Sequence, residues 1–142
     1  RLFPIYEKCL ELGIPVSIMS GPYAGPDIGV SNPLYIDRLA TRYPELKIVL
    51  GHGCYPFIQE ILGVAFKHPN VYVSPDMYIF APGGQAYVDA ANSTLRSQIV
   101  YGSAYPLRPV IQTVEDTRKL PFDSAVLEDY FAGNSKRIFG IA

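Results

Sequence analysis

The sequence predicts an α/β fold of four successive strand–helix units behind a leading helix, and three observations predict it. Short apolar runs begin near residues 15, 47, 71 and 98, and an amphipathic stretch follows each of them. That alternation calls for parallel strands joined by right-handed crossovers. The runs PVSIM, KIVL, VYV and QIVY are apolar at nearly every position, as strands covered on both faces are. Finally, 142 residues at 49% hydrophobic and 18% charged suffice for one modest domain with a core.

Leu2 to Leu12 reads as a helix, with Leu2, Tyr6, Cys9 and Leu10 near one face and Glu7, Lys8 and Glu11 opposite. Gly13 is placed to stop it. Pro15 to Met19 is the first strand, followed by a Gly/Pro-rich loop from Ser20 to Ser31. Asn32 can cap a helix whose first turn holds Pro33 and which runs to Tyr43. Pro44 and Glu45 turn into the second strand, Lys47 to Leu50. A helix from Phe57 to Lys67 and the turn His68-Pro69-Asn70 lead to the third strand, Val71 to Val73. Gly83 and Gly84 open a helix to Asn92, and Gln98 to Tyr101 is the fourth strand. Helical segments follow at Val110 to Leu120, Ser124 to Phe131 and Asn134 to Phe139.

Four units are too few for a closed eight-strand barrel, which takes roughly 250 residues. A small open sheet and half of a barrel both remain, and both place ligand-binding groups at the carboxyl ends of the strands. Those ends carry Met19-Ser20-Gly21, Gly51-His52-Gly53, Ser74-Pro75-Asp76 and Gly102-Ser103-Ala104-Tyr105. No shift in composition divides the chain, so residues 1–142 read as a single domain.

The net charge of -1 and the lack of any dense Lys/Arg cluster give no electrostatic case for nucleic acid. The apolar stretches are too short to span a membrane. The charged, helix-like start RLFPIYEKCLELG does not read as a signal peptide. Cys9 and Cys54 show neither metal nor disulfide spacing, which makes a reducing cytoplasm the expected compartment. The chain opens on Arg1 inside a helix pattern, and the expectation is a piece of something longer.

His52 closes its strand between two glycines, so it either caps a buried strand inside a loop or does chemistry at a strand end. Asp76 is either a carboxylate acid/base or a turn aspartate beside Pro75. Ser20, Ser103 and Tyr105 are polar groups able to position a substrate oxygen. His68, in a helix-to-strand connection, reads as a surface group at a helix end with no role in a site. Cys54 reads as a buried, inert thiol, and Gly83-Gly84 lacks the rest of any phosphate fingerprint.

Taken in order, ELGIPVSIMSG, NPLYIDRLATRYPELKIVLGHG, KHPNVYVSPD, QIVYGSAYP and NSKRIFGI resemble the C-terminal half of the amidohydrolase-related (amidohydrolase 2) barrel family. The resemblance implies the C-terminal half of a TIM-type (β/α)8 barrel. Members include zinc-dependent aromatic-acid decarboxylases and relatives that hydrolyse lactones or hydrate double bonds. The family's strand-six histidine activates water or moves a proton, and His52 matches it, with Gly51 and Gly53 leaving room for substrate and metal. The family's metal is held by an upstream His-x-His pair, a histidine ending strand five and an aspartate ending strand eight. Here Met19 stands at the strand-five position and Ala104 at the aspartate position, and neither is a ligand for a borderline divalent ion.

The resemblance therefore implies a hydrolase or decarboxylase of small carboxylated, aromatic or dicarboxylic compounds, with a degraded metal site and no metal ligands in this chain. His52 would be the general acid/base, Asp76 a helper, and Ser20, Ser103 and Tyr105 the pocket lining. The alternative is an inactive relative that binds a small ligand or serves as a subunit. A half barrel also implies self-association or packing against an N-terminal half.

Overall fold

The structure, a computed structural model, describes residues 2–141. Helix α1 (Phe3–Glu11) leads into strand β1 (Val16–Met19), and α2 (Leu34–Arg42) leads into β2 (Ile48–Gly51). Helix α3 (Ile58–Lys67) precedes β3 (Val71–Ser74), and α4 (Gln85–Ala91) follows. The chain closes with α5 (Val110–Thr117), α6 (Ser124–Glu128), a π turn (Asp129–Gly133) and α7 (Asn134–Phe139). Short 3₁₀ turns at Ile28–Ser31, His52–Cys54 and Asp76–Phe80 complete the elements. The last two lie at strand ends, where the sequence reading placed loops.

The strands pair in parallel in the order β1-β2-β3. Val16 lies opposite Ile48, and Ile48 opposite Val71, so the three carboxyl ends fall level at Met19, Gly51 and Ser74. The expected fourth strand is reduced to a single parallel bridge between Val73 and Ile99. Val73 N–H donates to the Gln98 carbonyl at 2.8 Å, and Val100 N–H donates to the Val73 carbonyl at 2.9 Å. Pairing ends there because the next bond of the ladder would need an N–H from Pro75, which has none, while Tyr101 N–H, on the side away from β3, donates to the Tyr130 carbonyl in the π turn at 3.0 Å. Segment 98–101 thus lies alongside β3 but is anchored to the C-terminal helical run.

Ile48, Leu50, Val71, Val73 and Ile99 form the main core with Ile36, Leu39, Ile58, Ile61, Tyr87 and Val88 of the flanking helices. Side chains alternate across a strand, so Val49, Tyr72 and Val100 point to the other face. They are buried there against Ile138 of α7. The last helix thus covers part of this face. β1 is the exception, since only alternate residues are sheltered and Ser17 and Met19 are exposed. Its outer edge opens onto a groove of about 980 Å³ lined by Leu2, Phe3, Tyr6, Ile18, Val30 and Tyr35 among others.

Three side-chain amides tie the segments down by filling carbonyls left free at element ends. Gln98 Nε2 donates to the carbonyls of Ala65, His68 and Val71 at 2.7, 3.0 and 2.8 Å. Asn70 Nδ2 donates to Tyr43 and Leu46, and Asn134 Nδ2 to Arg96 and Ile99. Among the described residues, no helix is long and apolar enough to cross a membrane.

Candidate active site

His52 begins a 3₁₀ turn directly after β2, and Asp76 begins another two residues past β3. Level strand ends bring the two together. Asp76 Oδ2 accepts the His52 backbone N–H at 3.0 Å, and the same oxygen lies 3.0 Å from His52 Nδ1. The ring N–H is not in line with that oxygen, so Nδ1 has a charged neighbour without a formed hydrogen bond. Nε2 makes no hydrogen bond among the described residues.

Both residues sit in the left-handed backbone region, His52 at φ 69° and Asp76 at φ 53°, as do Cys54 and Ala104 at φ 57° and 58°. Such conformations cost of order 1–3 kcal/mol each and persist only where the surroundings hold them. Here they gather at the strand ends. Ser74 Oγ donates to Asp76 Oδ1 at 2.5 Å. Burial pushes the Asp76 carboxyl above the usual carboxylate range, while the Ser74 hydroxyl and the adjacent His52 pull it back down.

The His52 ring stands edge-on to Tyr78 at 5.6 Å, and Tyr78 is stacked on Tyr55 at 4.7 Å. A pocket of about 470 Å³ opens here, lined by Met19, Gly21, Tyr23, His52, Met77, Tyr78 and Leu107. Its walls are apolar and aromatic, and His52 is the lining residue that carries an imidazole. The larger groove beside β1 does not include His52; its carboxylate, Asp37, is held by Lys67 and His68.

Of the residues singled out in the sequence, the structure brings His52 and Asp76 together. It does not bring Ser20, Ser103 or Tyr105 to the pocket lining. Ser20 is buried, donates to the Gly51 carbonyl at 2.8 Å and accepts from Cys54 N–H at 3.1 Å, clamping β1 to the His52 turn. Ser103 accepts from Tyr105 N–H at 3.2 Å, and Tyr105 is 72% exposed. Burial pushes the Cys54 thiol up to about 11, so it is inert at neutral pH. His68 is not a surface group: its side chain is 12% exposed and its Nε2 lies 2.8 Å from Asp37 Oδ1, joining α3 to α2. Lys67 and His68 hold the Asp37 carboxyl below the usual range.

The glycines that matter also differ from those expected. A Cβ on Gly51 would meet only ordinary contacts, and the space beside Gly53 is filled by Tyr87 and Pro75. The close approaches to the side chains of His52 and Asp76 are at Gly21 and Gly102. A Cβ on Gly21 would lie 2.8 Å from His52 Cβ, and one on Gly102 would lie 2.0 Å from Asp76 Oδ1. Ser74 was likewise missed, although a serine two residues before a strand-end aspartate is a readable local partner for it.

The donors present do not fit a zinc ion, which takes three or four protein ligands. Met19 and Ala104 stand at the ends of β1 and of segment 98–101, and among the described residues no three His, Cys, Asp or Glu side chains gather.

Level parallel strand ends carrying a paired imidazole and carboxylate define an α/β protein with its site on the face that open sheets and barrels both use. The family model described as Amidohydrolase (Amidohydro_2) matches residues 1–141, and the chain belongs to that family. An uncharacterized TIM-barrel protein from Bordetella bronchiseptica, Bb4693, superposes with a TM-score of 0.93 at 43% identity, covering 97% of this chain and 50% of that one. Amidohydrolase 2 from Bifidobacterium longum subsp. infantis superposes with a TM-score of 0.61 at 19% identity, covering 96% and 54%, a likeness of fold. Protein fluG of Emericella nidulans is 42% identical over 43 residues, 30% of this chain and 5% of that protein. This chain therefore spans about half the length of the two solved structures, and its fold is a partial TIM-type barrel.

Proposed function

We propose that the chain carries the acid–base part of an amidohydrolase-type site that hydrolyses or decarboxylates a small carboxylated compound. The observation that supports this is the His52–Asp76 pair, with Nδ1 3.0 Å from Oδ2 at the rim of an apolar pocket. In this reading His52 Nε2 takes a proton from water, or delivers one to the carbon that loses carboxylate. Asp76 sets the ring's orientation and stabilises the imidazolium that forms. The apolar walls hold the body of the substrate and keep bulk water away from the ring. No step runs through a metal, because this chain's donors do not form a ligand set. The compartment we assign is the cytoplasm, in keeping with two free cysteines.

Met19 at the pocket wall favours a second reading, a small-ligand-binding protein without turnover. One experiment separates the two. The protein is assayed with hydroxybenzoates, small dicarboxylates and lactones, and His52→Gln is compared with His68→Gln. The expected result is a loss of about 10²–10⁴-fold for His52→Gln and near wild-type turnover for His68→Gln. Saturable binding of a test compound with no turnover would establish the binding reading. Equal effects of the two substitutions would overturn the assignment of His52.

A further inference from the structure

We propose that Ser74 is a positioning residue: by donating to one oxygen of Asp76 it aims the other at His52, in a space that Gly102 keeps open. This rests on the reading of His52 as the acid/base and names what orders it. The Asp76 carboxylate makes three close contacts, and they divide cleanly. Oδ1 takes the Ser74 hydroxyl at 2.5 Å, while Oδ2 takes the His52 backbone N–H and faces Nδ1, each at 3.0 Å. The terminal torsion of an aspartate is broad and loosely held on its own. With Oδ1 pinned, rotation that would carry Oδ2 away from the ring breaks a charge-assisted hydrogen bond, the stronger kind.

The surroundings make that bond hard to replace. Ser74 is 7% exposed, so water is a poor substitute for its hydroxyl. Gly102 closes the other side: a Cβ there would lie 2.0 Å from Asp76 Oδ1 and 2.8 Å from Ser74 Oγ. The ends of β2, β3 and segment 98–101 thus meet on a single carboxylate. Burial pushes that carboxyl up and the Ser74 bond pulls it down, so removing the bond moves it further up. The other titratable groups that sense the Asp76 charge are Tyr78, Tyr87 and Tyr130. Burial pushes their hydroxyls up, and they stay neutral while the carboxyl titrates.

The chain has 2 histidines, so labelling histidine alone with ¹³C and ¹⁵N gives two amide signals and one set of ring signals from each imidazole, readable even in a large assembly. The His52 amide donates to Asp76 Oδ2 and reports its ionisation directly. Ser74→Ala is expected to move the midpoint of the His52 amide transition to higher pH and to shift the Nδ1 resonance. Ser74→Thr should restore both, and the His68 signals should stay in place throughout. A wild-type midpoint and wild-type Nδ1 shift in Ser74→Ala, with the His68 signals intact, would overturn the proposal. If Ser74→Ala fails to fold, Ser74→Cys keeps the volume with a weak donor. It is expected to raise the midpoint, and an unmoved midpoint there overturns the proposal equally. No turnover is read, so failure here is distinct from failure of the acid/base assignment, which His52→Gln decides.

Discussion

Asp76 presents a single oxygen, Oδ2, to two nitrogens of His52, the backbone N–H and ring Nδ1, at 3.0 Å each. Main chain and side chain of one residue are thereby referred to the same atom. The turn after β2 and the turn after β3 cannot shift relative to each other without breaking that reference. Both residues also adopt left-handed backbone conformations, uncommon for residues other than glycine, although histidine and aspartate are among the types that tolerate them best. Strain and pairing coincide at the strand ends, where a site on this fold is built.

The first consequence is a dependence of stability on pH. Burial raises the Asp76 carboxyl above its unfolded value, so the folded protein binds that proton more tightly than the unfolded chain. Its contribution is most favourable below the unfolded carboxylate range and declines as pH rises through the folded value. Asp76→Asn has no proton to lose. Its stability relative to wild type should improve as pH rises from about 3 to about 7, measured by thermal melts of both proteins. A difference that stays flat across that range would refute the raised carboxyl.

The glycines give a steric contrast. Gly102→Ala places a methyl group inside the Asp76 carboxylate's space and should cost about 1–3 kcal/mol, the usual range for overpacking. Gly21→Ala presses on the His52 side chain at 2.8 Å and should act in the same direction. Gly51→Ala meets nothing closer than 3.8 Å and should stay within about 0.5 kcal/mol of wild type. Denaturant melts of the three variants test the order, and a Gly51→Ala as damaging as Gly102→Ala would contradict it.

The metal expectation follows from donor chemistry. His52 and Asp76 are already engaged with each other, and Met19 and Ala104 offer a thioether and a methyl group at neighbouring strand ends. Protein purified without chelators should carry far less than one zinc per chain, by elemental analysis. About one zinc per chain, lost on His52→Gln, would show that His52 is a ligand.

Much of this architecture was legible in the sequence because it is written in periodicity and punctuation. Helices predicted at 57–67 and 134–139 are found at Ile58–Lys67 and Asn134–Phe139, framed by proline and glycine. The fourth strand was not legible as a bridge, because QIVY has the composition of a strand. What stops it is Pro75 on the neighbouring segment, which has no N–H to give to the Val100 carbonyl. The same limit applies to the site. Local pattern placed His52 and Asp76 at strand ends, but the role of Gly102 depends on an oxygen 26 positions earlier in the chain. Likewise, Ser20 looked like a pocket hydroxyl until its partners, the Gly51 carbonyl and the Cys54 amide, proved to lie in the His52 turn.

The last prediction concerns association. Among the described residues β1 pairs only with β2, so its outer edge offers unpaired backbone groups, a template for another strand. Leu2 and Phe3 line the groove on that flank, and Ile5, Met19, Tyr105, Leu107 and Ile111 are exposed as well. α7 shelters Val49, Tyr72 and Val100 but not these side chains. Apolar groups gathered beside an open edge drive association rather than scatter harmlessly. The barrel protein from Bordetella bronchiseptica is about twice the length this chain covers, and we propose a second body of similar size as what would cover such flanks. Residues 1–142 alone should therefore scatter light at micromolar concentration as particles heavier than 15.7 kDa, as a self-assembly or an aggregate. Supplying the complementary half of a barrel should reduce that self-assembly. A monodisperse monomer that melts cooperatively would show that the three strands and the Ile99 bridge are self-sufficient as an open sheet.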